Sequence, residues 1–380
     1  MKLLIINDYG INGSGTEIRI KQLAEFLFNS HFFEEIHIIE HETGNSQHLF
    51  LQVHKLNSKK AEEEIKKIII KYAITHVQIH NMTLFPSKII KQIKKYKLPI
   101  IFFAHDYWGF CGRRNLTTAN QQICKGFQLT HCLPCIGVFS IIHLQKIKQA
   151  LNLCDVGIAP ASYVQNIYEN HGILKNKWVI LPPWIDKEIF LNHKKQKKQK
   201  VILFVGPLDY FKGIDLLLES ISIIKDQLNQ FEIHIVGNSQ DKDNKNRIRI
   251  EQKAKRIGIY FQLKFLGKMS LKELAKEYAL ASVSVTCPLW PEVFGQTWAQ
   301  ALSCGTPVVA TKVGSIPELA GKKVRLVEPN ATALANGILE EINNPVFPSL
   351  TLEDFSLQKN IPLLQKIYTD LMKNKPHKTL

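Results

Sequence analysis

The sequence predicts an α/β protein built from two Rossmann-like domains facing across a cleft, and three observations carry that expectation. Nearly continuous apolar runs such as Lys2–Asn7, Pro99–His105 and Val201–Gly206 read as strands buried on both faces, the mark of parallel sheets covered by helices. Both halves alternate such strands with segments of helical apolar spacing, and strands recurrently end at glycine, the pattern of successive βα units. A length of 380 residues accommodates two domains, each with its own core.

Lys2–Asn7 opens the first βα unit. Asp8–Thr16 is a loop with three glycines, and Glu17 begins a helix whose Ile20, Leu23, Ala24 and Leu27 recur at helical spacing. Gly13 and Gly15 are small residues where backbone comes close to something, although as a dinucleotide fingerprint they lack the third glycine. Strands are expected at Glu35–Ile39 and Thr75–Ile79, with Lys/Glu-rich helices such as Lys59–Tyr72 beside them. His105 and Asp106 fall just past the carboxyl end of the Pro99 strand, the edge where open α/β sheets bind ligands. A strand at Asp155–Ala159 and a helix at Ser162–Tyr168 follow, and the turn at Trp178–Asp186 closes a first domain over 1–186. A lysine-rich linker is expected over 187–200.

Val201–Gly206 opens the second domain, 201–345. Its loop, Pro207–Gly213, leads into a helix with apolar positions Ile214, Leu217, Leu218 and Ile221. Phe231–Gly237 and Phe261–Gly267 alternate as two more strands, and Ser270 with Glu273 forms a capping box for a helix over Lys272–Ala281. Ser282–Cys287 is a short β-branched strand broken by Pro288 and Pro291. From Gly295 a helix carrying Trp298, Ala299, Ala301 and Leu302 runs to Gly305, and Thr306–Ala310 resumes as strand. Such a unit sets a helix N-terminus, with its unsatisfied N–H groups, above the carboxyl edge of a sheet, where phosphate-bearing ligands sit. Glu292 stands at its mouth. Over 346–380 the chain ends in a helix, Leu352–Lys373, interrupted by Pro362.

The formal net charge is +16, and the excess is clustered. Between Lys55 and Lys97 there are eleven Lys against three Glu, and Lys194–Lys200 is a second block. The options are solvated lysine faces or attraction to anionic lipid headgroups, for which Ser87–Lys97 can be drawn as a helix with an Ile stripe and a Lys face. The same stripe can equally pack on the sheet. No recognition motif accompanies the charge, which argues against nucleic acid. No apolar run approaches the ~20 residues of a membrane span, and the N-terminus runs straight into a strand; the chain reads as cytoplasmic, with attachment to the inner face of a membrane as the option that the lysine clusters open.

Four of the seven cysteines cluster, Cys111, Cys124, Cys132 and Cys135, spaced C-x12-C-x7-C-x2-C. An odd total argues against a disulfide framework. One close pair with two outlying thiols can surround a structural zinc; unliganded or redox-active thiols are the alternatives. Cys154, Cys287 and Cys304 read as small core residues.

The segment from Glu292 through Phe294-Gly295 and Gln300 to Cys304-Gly-Thr-Pro-Val308 resembles the signature of the retaining GT-B glycosyltransferases, in particular the glycogen-synthase-like family four, the group 1 enzymes. The resemblance covers nearly the whole chain and is strongest from Val201 to Glu318. It implies the GT-B architecture, with the C-terminal helix returning to the first domain, and the transfer of a sugar from a nucleotide-sugar donor to a hydroxyl of a growing glycan or lipid-linked glycan, as in cell-surface polysaccharide assembly. Glu292, with the backbone of Val293, Phe294 and Gly295, would hold the sugar hydroxyls. Lys212 and Gly213 match the loop that neutralises the donor diphosphate after Gly206. Lys268 and Met269 would contact the base through their backbone, and Gly13, Gly15 and Glu17 would close over the diphosphate. His105-Asp106-Tyr-Trp followed by Cys111 is similar to a sub-pattern in which the His contacts the donor sugar, with Asp106 beside it, and Cys-rich insertions follow, here 111–135. No metal would be required for catalysis, because a cation and helix dipoles replace it. Two departures stand out: Gln300 occupies the position of a ribose-binding Glu, and Pro207 that of a diphosphate-binding Arg. They open another reading, a nucleotide-sugar-binding pseudoenzyme or scaffold; a GT-B nucleotide-sugar 2-epimerase, which would release free sugar without an acceptor, is a second enzyme reading.

Overall fold

In a computed structural model the chain is described over residues 1–11, 15–44, 46–120, 122–124, 126, 128–191, 197–238, 244–346 and 355–373. It divides into two compact units, one formed by Met1–Trp184 with Leu357–Leu380 and the other by Ile185–Ser356.

The first unit holds seven parallel strands: β1 (Lys2–Asn7), β2 (Glu35–His41), β3 (Gln52–Leu56), β4 (His76–Asn81), β5 (Ile100–Phe103), β6 (Val156–Ala159) and β7 (Trp178–Ile180). Their order in the sheet is β3-β2-β1-β4-β5-β6-β7. Ile5 of β1 is in register with Ile38 on one side and Gln78 on the other. Helices α1 (Thr16–Asn29), α2 (Ala61–Tyr72), α3 (Lys88–Lys95), α4 (Leu129–Leu151) and α5 (Ser162–Asn170) connect them. The chain winds outward from β1 to β3 and then returns to β4. Order therefore reverses between β1 and β4, and their carboxyl ends flank the crevice in which doubly wound sheets bind ligands.

The second unit repeats the scheme with β8 (Gln199–Val205), β9 (Glu232–Val236), β10 (Leu263–Gly267), β11 (Ala281–Thr286), β12 (Val308–Thr311) and β13 (Arg325–Val327), ordered β10-β9-β8-β11-β12-β13 and all parallel. Its helices are α6 (Lys187–Phe190), α7 (Ile214–Ile224), α8 (Lys245–Arg256), α9 (Leu271–Leu280), α10 (Gln296–Ser303), α11 (Ile316–Ala320) and α12 (Ala331–Asn343). Order reverses between β8 and β11. The last helix, α13 (Leu357–Lys373), returns to the first unit, where Ile361, Leu364 and Tyr368 join Leu3, Ile5, Leu23, Ile101 and Phe103 in one core.

Several expectations change. The units part at Trp184 and Ile185, not at 186; α6 and the opening of β8 lie within the 187–200 segment read as linker, while 192–196 lie outside the described residues. Pro362 sits inside a continuous α13, where apolar burial offsets its lost hydrogen bond. The Ile stripe of α3 is interior: Ile89, Ile90 and Ile93 are fully buried, so this helix has no apolar face to lay on a bilayer, and its outer face carries Lys88, Lys91, Lys94 and Lys95. Strands β3 and β13 and helices α4, α8 and α12 were not marked by periodicity. Strand β3 is short and polar, α8 buries only Ile250 and Ala254, and α4 is broken in pattern by Pro134 and by Gly137 at φ 77°.

Candidate functional site

In the second unit the reversal point collects residues that are far apart in sequence. Lys212 ends the loop after β8 and Glu292 lies in the loop after β11. The Lys212 Nζ donates to Glu292 Oε2 at 2.7 Å, and the Trp290 indole N–H donates to the same oxygen at 3.1 Å. The ammonium also lies 5.0 Å from the Trp290 ring centroid, a cation–π geometry. Glu292 is nearly buried and Lys212 one-third exposed, so the pair is a carboxylate at the floor with a cation leaning over it.

Local backbone dictates this placement. Gly213, at φ 79°, starts α7 so close to β11 that a Cβ would fall 1.7 Å from the Cys287 carbonyl oxygen. Gly314, at φ 58°, passes the Glu292 backbone, where a Cβ would meet its carbonyl oxygen at 2.1 Å, and the Ser315 N–H donates to that oxygen at 2.8 Å. Only glycine fits such approaches. Val293 and Phe294 are buried, and Gly295, at φ 73°, turns the chain into α10. The Trp298 indole N–H then closes on the Phe294 carbonyl at 2.8 Å. Gln300 is 8% exposed and its Oε1 lies 3.4 Å from the Tyr278 hydroxyl. Gly206, Gly237 and Gly267 end β8, β9 and β10 as neighbours: the Gly206 N–H donates to Val236 O at 2.9 Å and the Gly237 N–H to Gly267 O at 2.8 Å. Lys268 is exposed and Met269 half-buried beyond them. The capping box of Ser270 and Glu273 is formed.

The first unit assembles a different set at its own reversal point. Asp8 follows β1, and its carboxylate accepts from the Thr83 hydroxyl at 2.7 Å and the Leu84 N–H at 2.9 Å; burial pushes its pKa up against these bonds. Sequence reasoning passed over Asp8, although its place at a strand end was a usable signal. His105, past β5, shares a hydrogen bond of 2.7 Å with His80 at the end of β4, ring on ring. Burial, then His80 and then Arg19 hold His105 well below the usual imidazole range, so it is neutral at physiological pH. Asp106 is occupied internally: its carboxylate takes Arg114 Nε and Nη2 at 3.0 and 2.6 Å and the Trp108 N–H at 2.7 Å. Arg114, unmarked in the sequence, reaches Tyr9 as well. Gly15 and Glu17 stand at the start of α1; Gly13 lies outside the described residues.

Cys111, Cys124, Cys132 and Cys135, all unpaired, line one small cavity with His131. A bridge between Thr117 and Ile123 and the start of α4 bring them there. Sulfur donors suit zinc, but among the described residues no three His, Cys, Asp or Glu side chains are disposed to hold a metal ion.

Two Rossmann-like units, the second carrying a cation and a carboxylate at its strand-order reversal, have the fold of the GT-B glycosyltransferases. Residues 186–373 match the family of glycosyl transferases group 1, and over those residues the chain belongs to that family. Among curated relatives, the chain is 31% identical over 186 residues to a D-inositol 3-phosphate glycosyltransferase of Corynebacterium jeikeium, a match covering 46% of this chain and 44% of that protein. It is 24% identical to the mannosylfructose-phosphate synthase of Agrobacterium fabrum, over 43% and 39% of the two chains. The chain thus matches less than half the length of these relatives. Two solved structures share the fold over nearly the whole chain. A sucrose-phosphate synthase from Thermosynechococcus elongatus has a TM-score of 0.76 at 18% identity, covering 98% and 100%. Anabaena HepE in complex with UDP and glucose has a TM-score of 0.73 at 16% identity, covering 97% and 100%. Among the described residues no helix is long and apolar enough to cross a membrane.

Proposed function

We propose that the protein is a retaining glycosyltransferase that moves a sugar from a nucleoside-diphosphate donor to a hydroxyl of a growing glycan or lipid-linked glycan. The observation that carries this reading is the Lys212–Glu292 pair at 2.7 Å, set at the reversal point of a unit that belongs to the group 1 glycosyl transferases. When the bond from the anomeric carbon to the diphosphate breaks, the electron pair goes to the diphosphate oxygen. Lys212 and the N-terminus of α10 would meet that charge. The anomeric carbon then bonds to the acceptor hydroxyl on the same face, and the hydroxyl proton leaves with the departing diphosphate. Glu292 would hold sugar hydroxyls, and His105 and the N-terminal loop of the first unit would contribute from their own sheet edge. No metal enters this step; full activity in a chelator is the corresponding expectation.

That HepE structures contain UDP and UDP-glucose supports a nucleotide-sugar donor here. The direct test is thermal denaturation of the chain with UDP, GDP, ADP or CDP. One nucleotide at ~100 times its dissociation constant should add about 2.7 kcal/mol, and at the same concentration Lys212→Ala should keep only about 0.4–1.4 kcal/mol of that gain. Absence of any shift would sink the transferase reading. Binding without transfer to any acceptor would instead favour a nucleotide-sugar-binding scaffold, a reading supported by the way Tyr278 engages Gln300.

The exposed lysines of α2 and α3 are proposed to draw the protein to anionic headgroups by charge, and co-sedimentation with anionic vesicles that is insensitive to salt, or absent, would remove the idea. A structural zinc on Cys111, Cys124, Cys132 and Cys135 is proposed on donor type, with metal content of the purified protein as its check.

A further inference from the structure

Four polar side chains of the first unit form one hydrogen-bonded chain, and the transfer reading gives a role to His105 alone among them. His105 Nε2 and His80 Nδ1 are 2.7 Å apart, His80 Nε2 and Gln78 Oε1 are 2.9 Å apart, and Gln78 Nε2 donates to the Tyr368 hydroxyl of α13. Gln78 and His80 share one face of β4, and Gln78, His80 and Tyr368 are at most 1% exposed. Phe103 stacks on His80 with ring centroids 4.5 Å apart and holds its plane.

The direction of each bond follows from the Gln78 amide, whose oxygen faces His80. A carboxamide oxygen only accepts, so His80 carries its proton on Nε2 and donates it to Gln78. His80 is neutral, since burial pushes it down to about 3, and its Nδ1 is therefore an acceptor. His105 must then donate from Nε2. Its own burial keeps it neutral, which leaves a lone pair on Nδ1, the one ring nitrogen outside the chain.

We infer that Gln78 and His80 are positioning residues that set the tautomer of His105, so that it offers Nδ1 as an acceptor to a sugar hydroxyl instead of an N–H donor. The inference rests on the proposed glycosyl-transfer site, and it deepens that reading: the substrate group facing His105 must be one that can donate. Tyr368 completes the chain: its hydroxyl takes the amide N–H while the Gln78 oxygen faces His80.

The test is a long-range proton–nitrogen spectrum of the whole chain labelled with nitrogen-15 in histidine, recorded without substrate at pH 7. Signals of His105 are identified by their loss in His105→Asn. The expected result is a protonated Nε2 and an unprotonated Nδ1 at His105. Gln78→Met, close in shape but without the acceptor, should divide His105 between both tautomers and lower kcat roughly tenfold at nearly constant KM, the size of one misdirected hydrogen bond. Tyr368→Phe should shift the populations in the same direction with its packing retained. A wild-type His105 protonated on Nδ1, or tautomers unmoved in both variants, would overturn the inference. If the tautomer is as stated and His105→Asn transfers sugar normally, the site reading falls instead, and the role assigned to the tautomer falls with it.

Discussion

Lys212 shows how much one side chain can be asked to do. It touches Glu292 and the Trp290 ring at once, and an ammonium with three donors can hold a carboxylate while facing a phosphate. Lys212→Ala is expected to weaken nucleoside-diphosphate binding roughly tenfold to a hundredfold, the range of one charge-assisted hydrogen bond, as read by calorimetric titration. Glu292→Gln keeps the shape but loses the charge that pairs with Lys212, and kcat in a donor-transfer assay should fall about 10²–10³-fold. His80 yields a pH prediction. Its folded pKa lies near 3 against an ordinary 6.5, so the unfolded chain takes up a proton that the folded chain refuses. Stability tied to His80 is complete above pH 6.5 and is lost as pH falls from there toward 3. The difference in Tm between wild type and His80→Asn should shrink steadily from pH 7 to 4.5.

At the scale of elements, two close approaches hold the second site together. The loop containing Gly314 must pass the Glu292 backbone with no side chain between them. Gly314→Ala should therefore cost on the order of 2–4 kcal/mol through strain and displacement, measurable as a lower urea midpoint, and should reduce donor binding at temperatures where the fold persists. At the amino edge of the same sheet Lys198 donates to Ala279 O and Thr306 Oγ1 at 2.9 and 2.7 Å, and burial pushes its pKa down to about 8. Here the folded state resists the charge, so the penalty is complete below pH 8 and fades as pH rises toward the ordinary 10.5. Stability of wild type relative to Lys198→Met should accordingly rise between pH 8 and 10.

For the molecule as a whole, the chain path decides which unit a change affects. The first unit is finished only by the last helix, since Leu364 is completely buried among residues of β1, α1 and β5. Leu364→Ala should cost about 2–5 kcal/mol, and scanning calorimetry should find it confined to the transition of the first unit. The nucleotide-induced shift of the second unit should persist. A loss of that shift would mean that the two units do not unfold separately.

Periodicity and punctuation in the sequence determined the alternation of strands and helices, the two Rossmann-like halves, and the positions of Lys212 and Glu292 at strand ends, because burial on a strand or helix leaves a local, readable pattern. Gly213 and Gly295 were legible for the same reason: a turn that needs φ above zero selects glycine. Strand order was not legible, and it is what brings residues 212 and 292 to one crevice. Nor was the pairing of His105 with His80, the occupation of Asp106 by Arg114, or the link from Gln78 to Tyr368, a residue 290 positions away. Each of these depends on which elements become neighbours, and a hydrogen bond between distant residues leaves no period in either segment. The Ile stripe of α3 makes the same point from the other side. Its spacing predicted an amphipathic helix, but only the packing of the tertiary structure decided that the apolar face lies in the protein core.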